Sequence, residues 1–263
     1  MVTFPSVLIT GASSGLGRAL AVECAAPGVT LHLSGRDAAR LEGAAAECRA
    51  RGAAVAARVL DVRDSAAMAD WIAAAGRLDL VVANAGISAG TGDGRPESAA
   101  QTRAVFAANL DGVLNTVLPA LAVMRGQAPG AAGVRGHIAV VASIAAFVPA
   151  PGAPAYCASK AAVDAWTVSA AVTARQEGVV MTSLCPGYVR TAMTARNRFP
   201  MPGLMEADRA ARIMLRGIAA GRRRVVFPWW MGVAGRLVGL LPLRWSGALL
   251  SAPPGKEGLP GGA

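Results

Sequence analysis

The sequence predicts an α/β protein, a doubly wound parallel sheet in a single domain. Two observations carry this. Over the first 187 residues short apolar runs alternate with longer helical patterns, and such alternation builds a parallel sheet covered on both faces. The short runs are apolar throughout, as strands buried on both sides should be.

The elements follow in order. Val7–Thr10 reads as a buried strand, then a glycine-rich turn, then a helix over Leu16–Ala26. Val29–Ser34 is a second strand, followed by a helix over Asp37–Ala50 in which Asp37 suits the N-cap. Val55–Leu60 is a third strand with a helix over Ser65–Ala75, and Leu80–Ala83 is a fourth. A long helix covers Glu97–Met124 and precedes a fifth strand, His137–Ala142. The helix Ala155–Glu177 leads to a sixth strand, Val179–Cys185. A helix over Glu206–Ala220 and a last strand over Val225–Phe227 complete residues 1–227, the expected domain. Residues 228–263 are an apolar segment followed by a Pro/Gly-rich tail, expected to be disordered over Ala252–Ala263.

Composition excludes several classes. At 54% hydrophobic and 16% charged, the 263-residue chain is not intrinsically disordered. The four cysteines, Cys24, Cys48, Cys157 and Cys185, show no metal-ligand or disulfide-framework spacing, and there are two histidines. Four buried thiols in a reducing cytoplasm are expected, and no metal. No uncharged apolar stretch reaches the ~18–20 residues of a spanning helix. The net charge of +10 is concentrated: residues 188–250 carry eleven Arg against two acids. No stacking aromatics are interleaved in a known module, so nucleic acid is not expected as a partner.

The turn Gly11-Ala12-Ser13-Ser14-Gly15-Leu16-Gly17 joins the first strand to the first helix. Glycines there let the backbone approach a pyrophosphate at the helix N-terminus, as in a Rossmann-like dinucleotide site. At the end of the second strand the chain reads Ser34-Gly35-Arg36-Asp37, with no acid at the strand end to take a ribose 2′-hydroxyl. Arg36 suits a 2′-phosphate, which points to NADP(H), although a solvated surface arginine reads the same way.

The chain has two tyrosines and two lysines, yet Tyr156 and Lys160 stand four apart. On a helix they share a face. An ammonium beside a phenol is expected to lower its pKa and let it exchange a proton with a carbonyl or alcohol oxygen.

With these motifs the sequence resembles the short-chain dehydrogenase/reductase family over about residues 5–191. The family's glycine motif corresponds to Gly11, Gly15 and Gly17. The resemblance implies that Asp61, with Val62 beside it, contacts adenine, and that Asn84-Ala85-Gly86 flanks the cofactor. It implies Asn109, Ser143, Tyr156 and Lys160 as the catalytic set, with Asn109 positioning a water that links Lys160 to solvent. Pro186-Gly187, Val189 and Thr191 would hold the nicotinamide end. Two positions depart from the family, Ala83 for an Asn and Ala142 for a Ser, and neither is catalytic. A homodimer or homotetramer through the helices of Asn109 and Tyr156 is implied as well.

The expected activity is hydride transfer between NADP(H) and a carbonyl or alcohol, with a bulky or lipid-like substrate. The alternatives are a soluble reductase of broad specificity and a non-catalytic NADP(H)-sensing scaffold. Residues 228–250 hold Trp229, Trp230 and Trp245, and Arg236, Pro242 and Arg244 interrupt their apolar run. This segment either docks on an anionic membrane surface, placing a cytoplasmic protein at the membrane's inner face, or packs on the protein itself.

Overall fold

The computed structural model describes residues 4–92, 96–130, 133–197, 199–242, 244–245, 256 and 258. Seven strands form one parallel sheet: β1 (Ser6–Thr10), β2 (Thr30–Gly35), β3 (Ala54–Val59), β4 (Leu80–Ala83), β5 (Gly136–Val141), β6 (Val179–Pro186) and β7 (Arg224–Phe227). Their spatial order is β3-β2-β1-β4-β5-β6-β7. The order reverses between β1 and β4, and open α/β sheets bind ligands in the crevice at that switch.

Alternating side chains divide the core. Val7 and Ile9 of β1, with Leu80 and Val82 of β4, face a layer of α1 (Gly15–Cys24), α2 (Ala38–Ala50) and α7 (Ala207–Ala219). Leu8 and Val81 face α3 (Ser65–Ala74), α5 (Gly112–Gly126) and α6 (Pro154–Gln176) on the other side. Asp37 caps α2 by accepting from the Arg40 amide at 3.0 Å, as the sequence predicts.

Four expectations need correction. The third strand is not doubly buried: Ala54–Val59 forms the sheet edge and is largely exposed. Its small alanines carry little to bury. The helix predicted over Glu97–Met124 is three segments, α4 (Ala99–Phe106), a π-helical turn over Ala107–Asp111, and α5. This combined helix, Ala99–Gly126, is long and apolar enough to cross a membrane, but half of its apolar window is buried inside the protein. Cys24 is only partly buried, whereas Cys48, Cys157 and Cys185 are buried. Most of the tail predicted to be disordered lies outside the described residues, yet Lys256 is seated between two loops, its carbonyl accepting from the Gly92 amide at 2.7 Å.

Residues 229–239 form a last helix, α8. Its glycine side packs inward, because Gly232 and Gly235 let it approach Val226 and the segment Ile144–Val148. The opposite side is apolar and exposed at Trp229, Val233, Leu237 and Leu240. The glycine side thus agrees with the reading in which this segment packs on the protein itself. Positions 243 and 246–250 lie outside the described residues.

Candidate active site

A cavity of about 640 Å³ opens at the carboxyl ends of β1, β2, β4, β5 and β6. Every residue expected to touch the cofactor lines it, and so do Ser143, Tyr156 and Lys160. Of the expected catalytic set only Asn109 does not.

The glycine turn is shaped for close approach. Gly11 has φ +66°, and a Cβ there would stand 2.9 Å from the Ala85 Cα. A Cβ at Gly17 would overlap the Gly11 carbonyl oxygen. Asn84 braces this turn rather than facing the cavity as a free donor, since its Nδ2 donates to the Thr10 and Gly11 carbonyls at 2.9 and 3.2 Å. Thr10 Oγ1 in return accepts from the Asn84 and Ala85 amides. The result is a rigid cradle at the N-terminus of α1, where unpaired amides and the helix dipole favour a phosphate. The cradle, the cavity and the donor set fit a dinucleotide.

The adenosine end contains three arginines and two acids, and the pairs are resolved. Asp37 is held by Arg40, with Arg40 Nε donating to its Oδ2 at 2.7 Å. Asp61 is held by Arg63, whose Nε and Nη2 donate to its carboxylate at 2.6–3.0 Å. That grip keeps the Asp61 carboxyl below its ordinary range. Arg36, exposed at the rim, forms no ion pair among the described residues, although its charge also helps to hold Asp61 down.

The reacting end is set by β5, α6 and the loop after β4. Ser143 follows β5 and caps the short 3-10 helix Ile144–Phe147, its Oγ accepting from the Ala145 amide at 3.1 Å. Lys160, one turn after Tyr156 on α6, is buried and donates from Nζ to the Val141 carbonyl at 2.8 Å. The ammonium lies 6.0 Å from the Tyr156 ring centroid.

Two electrostatic expectations change here. Tyr156 is not lowered: burial pushes the phenol up to about 12, against which the Ser143 hydroxyl pulls down. The depressed group is Lys160, at about 8, because burial disfavours its charge and Lys256 repels it. Asn109 is committed to neighbouring groups. Its Oδ1 accepts from the Ile87 amide at 2.8 Å, and its Nδ2 donates to the Ile87 carbonyl and to Ser159 Oγ. It clamps the loop after β4 onto α6. The π turn that presents it leaves one extra residue in the helix, a distortion common at functional sites.

Sequence reasoning missed three participants. Ser159 shares the Asn109 clamp. Thr194 fixes Thr191, with the Thr191 amide donating to its Oγ1 at 3.0 Å. Lys256 reaches the Tyr156 ring. The first two give no local signal, but Lys256 is one of two lysines among 24 arginines, the rarity that singled out Lys160. Among the described residues no group of three His, Cys, Asp or Glu could hold a metal ion.

Comparison with known proteins agrees with this geometry. The family model described as short chain dehydrogenase matches residues 5–200. An uncharacterized oxidoreductase of Myxococcus xanthus (strain DK1622) is 38% identical over 248 residues, covering 92% of this chain and 94% of the relative. A short chain dehydrogenase/reductase from Burkholderia phymatum in complex with NAD superimposes with a TM-score of 0.78 at 28% identity, covering 88% of this chain and 92% of that one. A short-chain dehydrogenase from Sphingobium yanoikuyae in complex with NADPH gives 0.76 at 26% identity, covering 94% and 93%. With its sheet order, its glycine cradle and Ser143, Tyr156 and Lys160 at the end of one cavity, the chain belongs to the short-chain dehydrogenase/reductase family of oxidoreductases.

Proposed function

We propose that the protein is an NADP(H)-dependent oxidoreductase that interconverts a carbonyl and an alcohol on a bulky, lipid-like substrate. The observation that carries this reading is the two-ended cavity: Ser143, Tyr156 and Lys160 at one end, and at the other Arg36, which makes no ion pair among the described residues. A bound nicotinamide cofactor supplies or accepts the hydride. The chain's own residues handle the proton and the charge. Tyr156 Oη, protonated at neutral pH like any phenol whose pKa is not lowered, gives its proton to the carbonyl oxygen. Ser143 Oγ donates to the same oxygen and stabilises the charge that develops there. Lys160, fixed by the Val141 carbonyl, serves the nicotinamide ribose. Asn109 holds Ile87 and α6 in register beneath them.

NADP(H) is favoured over NAD(H) by the charge arithmetic at the adenosine end. Asp37 and Asp61 are each neutralised by their own arginine, which leaves Arg36 for a 2′-phosphate. Titration of both cofactors by fluorescence tests this. NADPH should bind at least tenfold more tightly than NADH, about 1.4 kcal/mol, and Arg36→Ala should remove the preference. Equal affinities in the wild type would refute the assignment. Turnover itself is tested by following NADPH absorbance against a panel of lipid ketones.

The exposed apolar face of α8 lies beside the segment that follows Ser143, with Arg236 stacked over Phe147 at 4.6 Å. It supports reversible docking on an anionic membrane surface, from which an apolar substrate is delivered. Leu118 on α5 and Val172 on α6 are also exposed and support pairing with a second copy through those helices.

A further inference from the structure

Lys256 is far from the catalytic residues in sequence and adjacent to them in space. Its Nζ lies 3.7 Å from the Tyr156 ring centroid and donates to Ser88 Oγ at 2.8 Å. Its backbone is held on both sides. The Lys256 carbonyl accepts from the Gly92 amide at 2.7 Å, and its amide donates to the Gly152 carbonyl at 3.3 Å. It is thus wedged between the loop after β4 and the loop before α6, which flank Tyr156. Gly90 makes room for it, since a Cβ there would come 2.8 Å from the Lys256 Cβ.

The ammonium is under-partnered. It has three N–H donors. Among the described residues it has one hydroxyl acceptor and one aromatic face, and no ion pair with a carboxylate. Glu97 Oε2 accepts from the Ala155 amide and does not pair with Lys256. Burial costs the charge enough to bring the amine down to about 8, so at neutral pH it is still mostly cationic. A partly desolvated cation gains strongly from an anion that completes its hydrogen bonds.

We propose that Lys256 is a specificity-determining residue, whose ammonium receives a carboxylate carried by the substrate next to the carbonyl that Tyr156 protonates. The inference rests on the oxidoreductase reading above and narrows its substrate class. The ammonium sits within 4 Å of the phenol ring centre, so only a short spacer fits between the carboxylate and the carbonyl. A 2-oxo or 3-oxo acid with an apolar chain satisfies both groups.

Binding to the full-length protein loaded with NADP⁺ tests this by calorimetry, with 3-oxodecanoate and its methyl ester as probes. Wild type should bind the acid at least tenfold more tightly than the ester. Lys256→Met should abolish that preference, with NADP⁺ titrated alongside to show that the variant still forms the cofactor site. Lys256→Arg should restore part of the preference. Equal binding of acid and ester by wild type, no binding of the acid, or a preference that survives Lys256→Met each overturns the proposal. The wild-type comparison stands even if the Met variant fails to fold. Failure of NADP⁺ itself to bind would instead bring down the NADP(H) assignment in the reading on which the proposal rests.

Discussion

Tyr156 has a phenol pushed up by burial and a cation that points elsewhere. Lys160 gives its hydrogen bond to the Val141 carbonyl, so in this structure the proton stays on Tyr156 well into the alkaline range. Such a group holds its proton through the neutral range and is a weaker acid than an ordinary phenol, while alcohol oxidation needs the scarce phenolate. Oxidation should therefore rise as the pH climbs towards the phenol's pKa. The ring packs while the hydroxyl reacts, so the two roles separate by mutation. Tyr156→Phe should lower kcat by about 10²–10⁴-fold and leave NADPH affinity unchanged, read by stopped-flow absorbance and by fluorescence titration. A variant that kept more than about a tenth of wild-type kcat would assign the proton to another group.

Among the elements, β7 and α6 are joined by a half-buried ion pair that no sequence pattern announces. Arg224, which opens β7, donates from Nε and Nη2 to the Asp164 carboxylate at 2.9 and 2.8 Å. Ser183 of β6 donates to the same carboxylate at 2.6 Å. Asp164 is buried, so removing its charge strands a guanidinium that has few alternatives. Asp164→Asn should cost about 3 kcal/mol of stability, measured by urea unfolding. Glu206→Gln, which breaks the exposed pair with Arg190, should cost under about 1 kcal/mol. The contrast shows what the sequence could and could not reveal. Strands β1, β4, β5 and β6 were legible because apolar runs report burial on both faces directly. Tyr156 and Lys160 were legible because rare residue types stood at helical spacing. Edge strand β3 was misjudged because alanines look apolar whether covered or not. The π turn at Asn109, the Asp164–Arg224 pair and Lys256 depend on contacts between distant segments, which periodicity does not encode.

At the scale of the whole molecule, charge and apolar exposure are gathered in the same stretch of chain. Residues 188–250 carry the excess of arginine. Arg222 and Arg223 are exposed just before β7, Arg244 lies beyond α8, and Trp229, Leu237 and Leu240 stand outward between them. Leu240 is 81% exposed and Trp229 74%, values that a helix kept permanently in water would be expected to avoid. On an anionic bilayer the arginines would draw the face in, at about 1 kcal/mol each near the surface, and burial of Trp and Leu would hold it there. Each step has its own signature. Salt should weaken the approach, because the Debye length falls from ~10 Å at 0.1 M to ~3 Å at 1 M. Replacing the outward residues together, Trp229→Ser, Leu237→Ser and Leu240→Ser, should abolish retention without touching the glycine side that packs on Ile144 and Phe147. Co-sedimentation with anionic and with neutral vesicles, at low and high salt, reads both effects. Wild type should pellet with anionic vesicles at low salt, and the triple variant should remain in the supernatant while still binding NADPH. A wild-type protein that stayed in the supernatant under all four conditions would leave the outward face of α8 to a protein partner instead.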